Sequence, residues 1–371
     1  MTILNRELLE KLYNVHKDSS NLVFNHADKV WVMPECAVKG AMDMYQPSSK
    51  GGKLLKKKVV KKHKTPFYIH GSKARKANIE LAKDIRIQLE RLLDISDFYV
   101  AAYMGDTSTS QNDKAVLQIY SDDEIYAYVK VTTNTENAKR FESEANALRN
   151  LRDEGIEYVP RVIGLDLDSE VKMFAQSSDK PMGQDVRLEF NEQILDTVKD
   201  LVGKTKKDID YKDTDFCESV DYLKTQMDVF DKEQQSIVKK GIEMVESFNL
   251  TFAFSHGDYT PWNIYYVKDE IRLFDLEYCS FSMPAYVDVF HYLSQTTLLG
   301  KRFTAQCAMR EYEHKLEMIS EYVDNPRTTF ICYLIWVISF YTKRTEGNID
   351  RIREALDVWV EMLEYLIKYL K

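Results

Sequence analysis

Between Phe98 and Gln176 the chain reads as short β-rich runs broken by one helical stretch, and beyond Asn191 it reads almost entirely as helix. Strands are predicted over Phe98–Tyr103, Ala115–Tyr120, Ile125–Val131, Val159–Asp166 and Val171–Gln176, where β-branched and aromatic residues alternate between polar turns. A helix is predicted over Asn137–Glu154, between the third and fourth strands. Further helices are predicted over Asn191–Val202, Cys217–Phe230, Asp231–Phe248, Lys301–Tyr322, Thr328–Thr342 and Ile349–Tyr369. The expected fold class is α+β, a small antiparallel sheet with one helix followed by a larger helical part. Residues 1–95 read as an appended N-terminal region, with a strand at Val30–Met33, a turn-rich loop from Tyr45 to Gly52 and a helix over Ala74–Leu93. The expected boundaries are therefore 1–95, 96–178 and 179–371.

At 371 residues, the chain is long enough for two or three packed layers. Its five cysteines are scattered and form no C-x-x-C pair, so neither a disulfide framework nor a zinc site is expected, and a reducing cytoplasm is the natural compartment. Met1–Asp18 carries charges throughout and no apolar h-region, so no signal peptide is expected. The longest apolar run, Phe330–Tyr341, is shorter than the ~20 residues of a membrane span and reads as a buried core helix. The net charge of −8 is unevenly spread. Residues 1–95 hold 19 Lys and Arg against 10 Asp and Glu, a net of +9, so the remainder carries −17. Eight lysines and one histidine fall within the fifteen residues Lys50–Lys64. Such a run is by default a solvated loop. Its sharper reading is peripheral contact with an anionic membrane or a lipid-linked glycan, with nucleic acid ranked last in a chain that is acidic overall.

Chemistry concentrates in Ser255-His256-Gly257-Asp258-Tyr259-Thr260-Pro261-Trp262-Asn263 and the following Phe274-Asp275-Leu276-Glu277. An Asp followed by an Asn five residues later is the spacing by which a phosphotransferase loop sets a base beside a metal ligand. Asp258 is the predicted base, and Asn263 and Asp275 are the predicted Mg²⁺ ligands, because magnesium takes hard oxygen donors and few of them from protein. Glu277 is a third acid that touches a second metal or orients the loop. Gly257 allows a sharp turn, and His256 is expected to hydrogen-bond the loop backbone. Lys130, unusual company in the strand Ile125–Val131, is the predicted phosphate-binding lysine. Glu144 is its expected partner, with Glu142 as rival. The hydroxyl-rich turn Gly105–Asn112, with Ser108, Thr109 and Ser110, is expected to cover phosphates. Gln176, in Phe174–Ser178, is expected to meet the nucleotide base.

These residues together resemble the aminoglycoside phosphotransferase and choline kinase superfamily, from about Phe98 to the C-terminus. The wording His-Gly-Asp-Tyr-Thr-Pro-Trp-Asn most resembles kinase-like proteins associated with bacterial polysaccharide biosynthesis. Asp288, in Tyr286-Val287-Asp288-Val289-Phe290-His291, resembles the second Asp that opens a following helix and anchors the loop. The resemblance implies a protein-kinase-like two-lobe fold, ATP or GTP and Mg²⁺ as cofactors, and transfer of phosphate to the hydroxyl of a small molecule. The implied acceptor is a sugar or glycan intermediate of cell-surface polysaccharide biosynthesis. Two alternatives stand beside it: a choline- or ethanolamine-type kinase, and a pseudokinase that serves as a binding or scaffold module in a glycan-synthesis complex. The latter draws on Tyr128, which stands two before Lys130 where this family commonly has a small residue, and on the lack of Gly-x-Gly-x-x-Gly. The expected location is cytoplasmic, with peripheral contact at the inner face of the membrane.

Overall fold

The computed structural model describes residues 6–26, 29–47, 50–62, 75–105, 113–298, 303–345 and 348–369. They form two compact units. The first comprises the chain to Arg152, then Glu157–Val186 and the hairpin Tyr265–Arg272. The second comprises Asp153–Ile156, Arg187–Ile264 and everything from Leu273.

In chain order the first unit contains α1 (Glu7–Leu12), β1 (Tyr13–Val15), β2 (Asn21–His26), β3 (Lys29–Pro34), α2 (Val38–Ala41), α3 (Lys50–Lys62), β4 (Arg75–Ala77), β5 (Ile79–Leu81), α4 (Lys83–Leu93), β6 (Tyr99–Met104), β7 (Ala115–Tyr120), β8 (Ile125–Thr132), α5 (Thr135–Asp153), β9 (Val162–Asp166) and β10 (Lys172–Ser177). The described strands build one antiparallel sheet in the order β4-β2-β3-β6-β7-β8-β10-β9, and β1 pairs separately with β5. Period-2 alternation decides which residues face which way. Ala127, Val129 and Val131 of β8 join Leu117, Ile119, Met173 and Ala175 in a core on one face. On the opposite face two cross-strand rows run side by side, Val116–Lys130–Phe174 and Gln118–Tyr128–Gln176. A second apolar cluster, around Phe24, Trp31, Met33, Tyr120 and Ala41, covers that face toward β2 and β3.

The second unit contains α6 (Glu192–Thr205), α7 (Asp215–Thr225), α8 (Lys232–Ser247) and β11 (Phe252–Ser255). The hairpin β12 (Ile264–Val267) and β13 (Glu270–Leu273) follows, most of it in the first unit. Then come β14 (Ser280–Pro284), α9 (Val287–Leu298), α10 (Ala305–Ser320), α11 (Pro326–Arg344) and α12 (Arg353–Tyr369). The starts of these helices are written in the sequence. Asn191, Thr214, Thr304 and Asn325 each accept a backbone N–H of the first turn, and Asp231 with Gln234 forms a capping box. Pro326 follows Asn325 at the first helical position, where its missing N–H costs nothing. Every residue from Phe330 to Ser339 is buried, as expected of the apolar run, because α7, α8, α9 and α12 surround α11. Among the described residues no helix is long and apolar enough to cross a membrane.

Three readings of residues 1–95 change. The helix expected over Ala74–Leu93 is two strands and a shorter helix. Ala77 and Ile79 are buried at period 2 as β4 pairs with β2 and β5 with β1, and helical spacing begins only with Ala82, Ile85, Leu89 and Leu93. The lysine run is helical over Lys50–Lys62 rather than a loop, since lysine and leucine are good helix formers and proline is absent. Lys56 turns inward, donating to Gln46 Oε1, and burial lowers its ammonium below the ordinary lysine range. Finally, β2, β3 and β4 are hydrogen-bonded into the same sheet as β6–β10, so residues 1–95 complete the first unit rather than standing apart from it.

Buried phenols give this fold a defined alkaline limit. Burial raises the hydroxyls of Tyr13, Tyr120, Tyr128 and Tyr333 above the ordinary 10.0. A raised folded-state value means that stability is fully present below the unfolded value of about 10 and is lost as pH climbs beyond it. A pH titration followed at the tyrosinate absorbance should show these phenols ionising together with the loss of helix signal, above pH 10. Smooth ionisation of all tyrosines near pH 10 with the helix signal intact would contradict the burial described here.

Candidate active site

The loop that follows β11 is shaped by one buried acid. Asp288, at the start of α9, is 2% exposed. Its Oδ1 accepts the Ser255 hydroxyl at 2.9 Å and the Gly257 N–H at 3.3 Å, and its Oδ2 accepts the His256 N–H at 2.7 Å. The chain thereby turns sharply at Gly257, whose φ is +77°, and a Cβ there would stand 2.1 Å from the Tyr278 carbonyl oxygen. Only glycine fits on both counts. His256, fully buried, accepts the Asp258 N–H at Nδ1 (3.4 Å), so its Nε2 carries the proton and donates to the Phe274 carbonyl at 3.0 Å. The Phe274 N–H in turn donates to the Asn263 carbonyl at 3.2 Å. Phe274 thus ties the segment before Asp275 to both ends of the loop.

Within the loop the 3₁₀ turn Pro261–Asn263 folds Asn263 back onto Asp258. Asn263 Nδ2 donates to the Asp258 carbonyl (2.9 Å) and to Asp258 Oδ2 (2.8 Å). Both partners are acceptors, which fixes the amide orientation. The amide oxygen of Asn263 makes no hydrogen bond among the described residues, and it is the hard donor that Mg²⁺ prefers. Asp275 is half-buried with φ +65°, a left-handed conformation that Asp adopts more readily than most residues. An amide oxygen and a carboxylate suit a hard divalent cation. Among the described residues no group of three or more His, Cys, Asp or Glu could hold a metal, so these residues form no closed cage. Glu277 lies two residues beyond Asp275 and is half-buried.

The first unit holds the other expected pair. Lys130 Nζ lies 2.6 and 2.9 Å from the two carboxylate oxygens of Glu144 on α5, with the residues 4% and 1% exposed. Glu142 is exposed, which settles the rivalry between the two acids. Gln176, one row along from Lys130, is 2% exposed, and its Oε1 has no hydrogen-bond partner among the described residues. Ser108, Thr109 and Ser110 lie outside the described residues.

No protein-family model matches the chain, and no curated protein matches it. Solved structures are similar to the chain over about three quarters of its length. An aminoglycoside phosphotransferase in a ternary complex with ADP and hygromycin B is 10% identical at a TM-score of 0.48, covering 76% of this chain and 97% of that one. An amicoumacin kinase in complex with AMP-PNP and Ca²⁺ is 10% identical at 0.47, covering 76% and 93%. A choline/ethanolamine kinase family protein from Mesorhizobium loti is 14% identical at 0.46, covering 76% and 94%. At these identities and scores the likeness decides nothing about activity, which rests on the residues themselves.

Sequence reasoning gave no role to His291. Its Nε2 lies 3.2 Å from Asp258 Oδ1, so both oxygens of the proposed base are engaged. The available signal is position, since His291 stands three residues after Asp288 and so shares its side of α9. The role of Asp288 is directly measurable. Asp288→Ala leaves three donors without their acceptor, and the loss should be about 3 kcal/mol or more in urea unfolding. A change below about 0.5 kcal/mol, as for an ordinary surface site, would show that the loop does not depend on this acid.

Proposed function

We propose that this chain is an ATP- or GTP- and Mg²⁺-dependent phosphotransferase that phosphorylates a hydroxyl of a small molecule. The observation that carries the proposal is the Asp258–Asn263 pair, a half-exposed carboxylate locked by an amide whose own oxygen stays available. Asp258 would orient the acceptor hydroxyl and take its proton as the phosphoryl group leaves the nucleotide. Asn263 and Asp275 would hold Mg²⁺, which when bound neutralises charge on the nucleotide phosphates. Lys130, held by Glu144, would pair with those phosphates, and Gln176 would meet the base through its free Oε1. Ser108, Thr109 and Ser110 would supply the hydroxyls of the phosphate turn.

For the acceptor, the loop wording favours a sugar or glycan intermediate of cell-surface polysaccharide biosynthesis, and an amino-alcohol such as choline or ethanolamine is the alternative. The run Lys50–Lys64, Lys56 apart, would provide contact with an anionic glycan or membrane. Failure to sediment with anionic vesicles would remove that contact from the proposal. A scaffold reading also has an observation in its favour. Tyr128 occupies the Lys130 face of the sheet, with its hydroxyl 3.5 Å from Gln118 Oε1, and Gln118 Nε2 donates to the Gly40 carbonyl in α2.

The test is ADP release across sugars, nucleotide sugars and amino-alcohols. Turnover with at least one acceptor, reduced about 10²–10⁴-fold by Asp258→Asn, is the expected result. Equal turnover in the variant refutes Asp258 as base. Nucleotide binding without turnover on any acceptor favours the scaffold.

A further inference from the structure

The carboxylate of Asp258 is clamped from two sides, and only one clamp belongs to the loop. Asn263 holds Oδ2, and His291 reaches Oδ1 from α9. An ionised carboxylate can only accept, so the hydrogen bond requires the imidazole proton on Nε2. The other ring nitrogen, Nδ1, is buried and has no hydrogen-bond partner among the described residues. No second hydrogen bond therefore orients the ring. Packing does so instead: His291 stands edge-on to Tyr333 (centroids 5.8 Å apart, 70°) and to Trp336 (5.6 Å, 65°), both on α11. The His291 side chain is 1% exposed, against 25% for Asp258.

Two anchors thus leave one turn of α9. Asp288 fixes the backbone of the loop, and His291 fixes the orientation of its carboxylate. A histidine placed only to fill the core would not need a nitrogen aimed at the one part-exposed acid of the loop.

We propose that His291 is a positioning residue for Asp258, its Nε2–H holding Oδ1 so that the carboxylate keeps the single orientation in which it receives the acceptor hydroxyl. This rests on the phosphotransfer reading above. His291 itself touches neither nucleotide nor acceptor in this account.

Two measurements on the full chain test the proposal. Using MgATP with an acceptor that supports turnover, His291→Ala should lower kcat about 10–100-fold, the scale of a misplaced catalytic group, with KM for MgATP within about twofold. His291→Gln, which keeps an N–H donor, should recover most of that loss at a similar melting temperature. Wild-type kcat in His291→Ala, or a Gln variant no better than Ala, overturns the proposal. The second measurement is the ring tautomer of His291 by nitrogen NMR. A proton on Nε2, with a signal that moves on Asp258→Asn, supports the contact. A proton on Nδ1 alone overturns it. The tautomer judges the His291 contact even if no acceptor supports turnover, an outcome that would count against the phosphotransfer reading instead.

Discussion

The loop from Ser255 to Asn263 has its shape because one buried carboxylate gathers three donors. Asp288 is removed from water, and a buried charge is tolerable only when its oxygens are used. Ser255 Oγ, the His256 N–H and the Gly257 N–H use them. The backbone must then pass through a left-handed turn pressed against the Tyr278 carbonyl, and Gly257 is the residue that can make it. From that turn Asp258 emerges part-exposed, while His256 and the Asn263 carbonyl grip Phe274 and bring the approach to Asp275 into register with the loop.

The first unit obeys the same electrostatic rule. Lys130 sits in the Val116–Lys130–Phe174 row of a sheet whose other face carries the apolar core around Leu117, Val129 and Met173. A charge there needs a partner, and Glu144 supplies both carboxylate oxygens from α5. A buried pair of this kind is weak evidence of a stability role.

Much of this was legible in the sequence because it is local. The strands β6 to β10 show their alternation, the C-terminal helices show their caps, and the spacing of Asp258, Asn263 and Asp275 lies within eighteen residues. The choice of Glu144 over Glu142 followed from helical spacing to Leu148 and Leu151, both fully buried. What was not legible depends on pairing between distant segments. Arg75–Leu81 reads as helix until β2 and β1 claim it, and the lysine run reads as solvated until Lys56 finds Gln46. His291 carries no signal by itself, because its meaning comes from Asp258, which is thirty-three residues earlier in the chain.

On the proposed reading, Asn263 and Asp275 serve a divalent cation that works with a nucleotide. Equilibrium binding of ATP, with and without Mg²⁺, to the wild-type chain and to Asp275→Asn tests it most directly. Mg²⁺ should tighten ATP binding in the wild type, and the substitution should remove this tightening while leaving the fold intact. ATP affinity that is the same with and without Mg²⁺, and the same in both proteins, would contradict it.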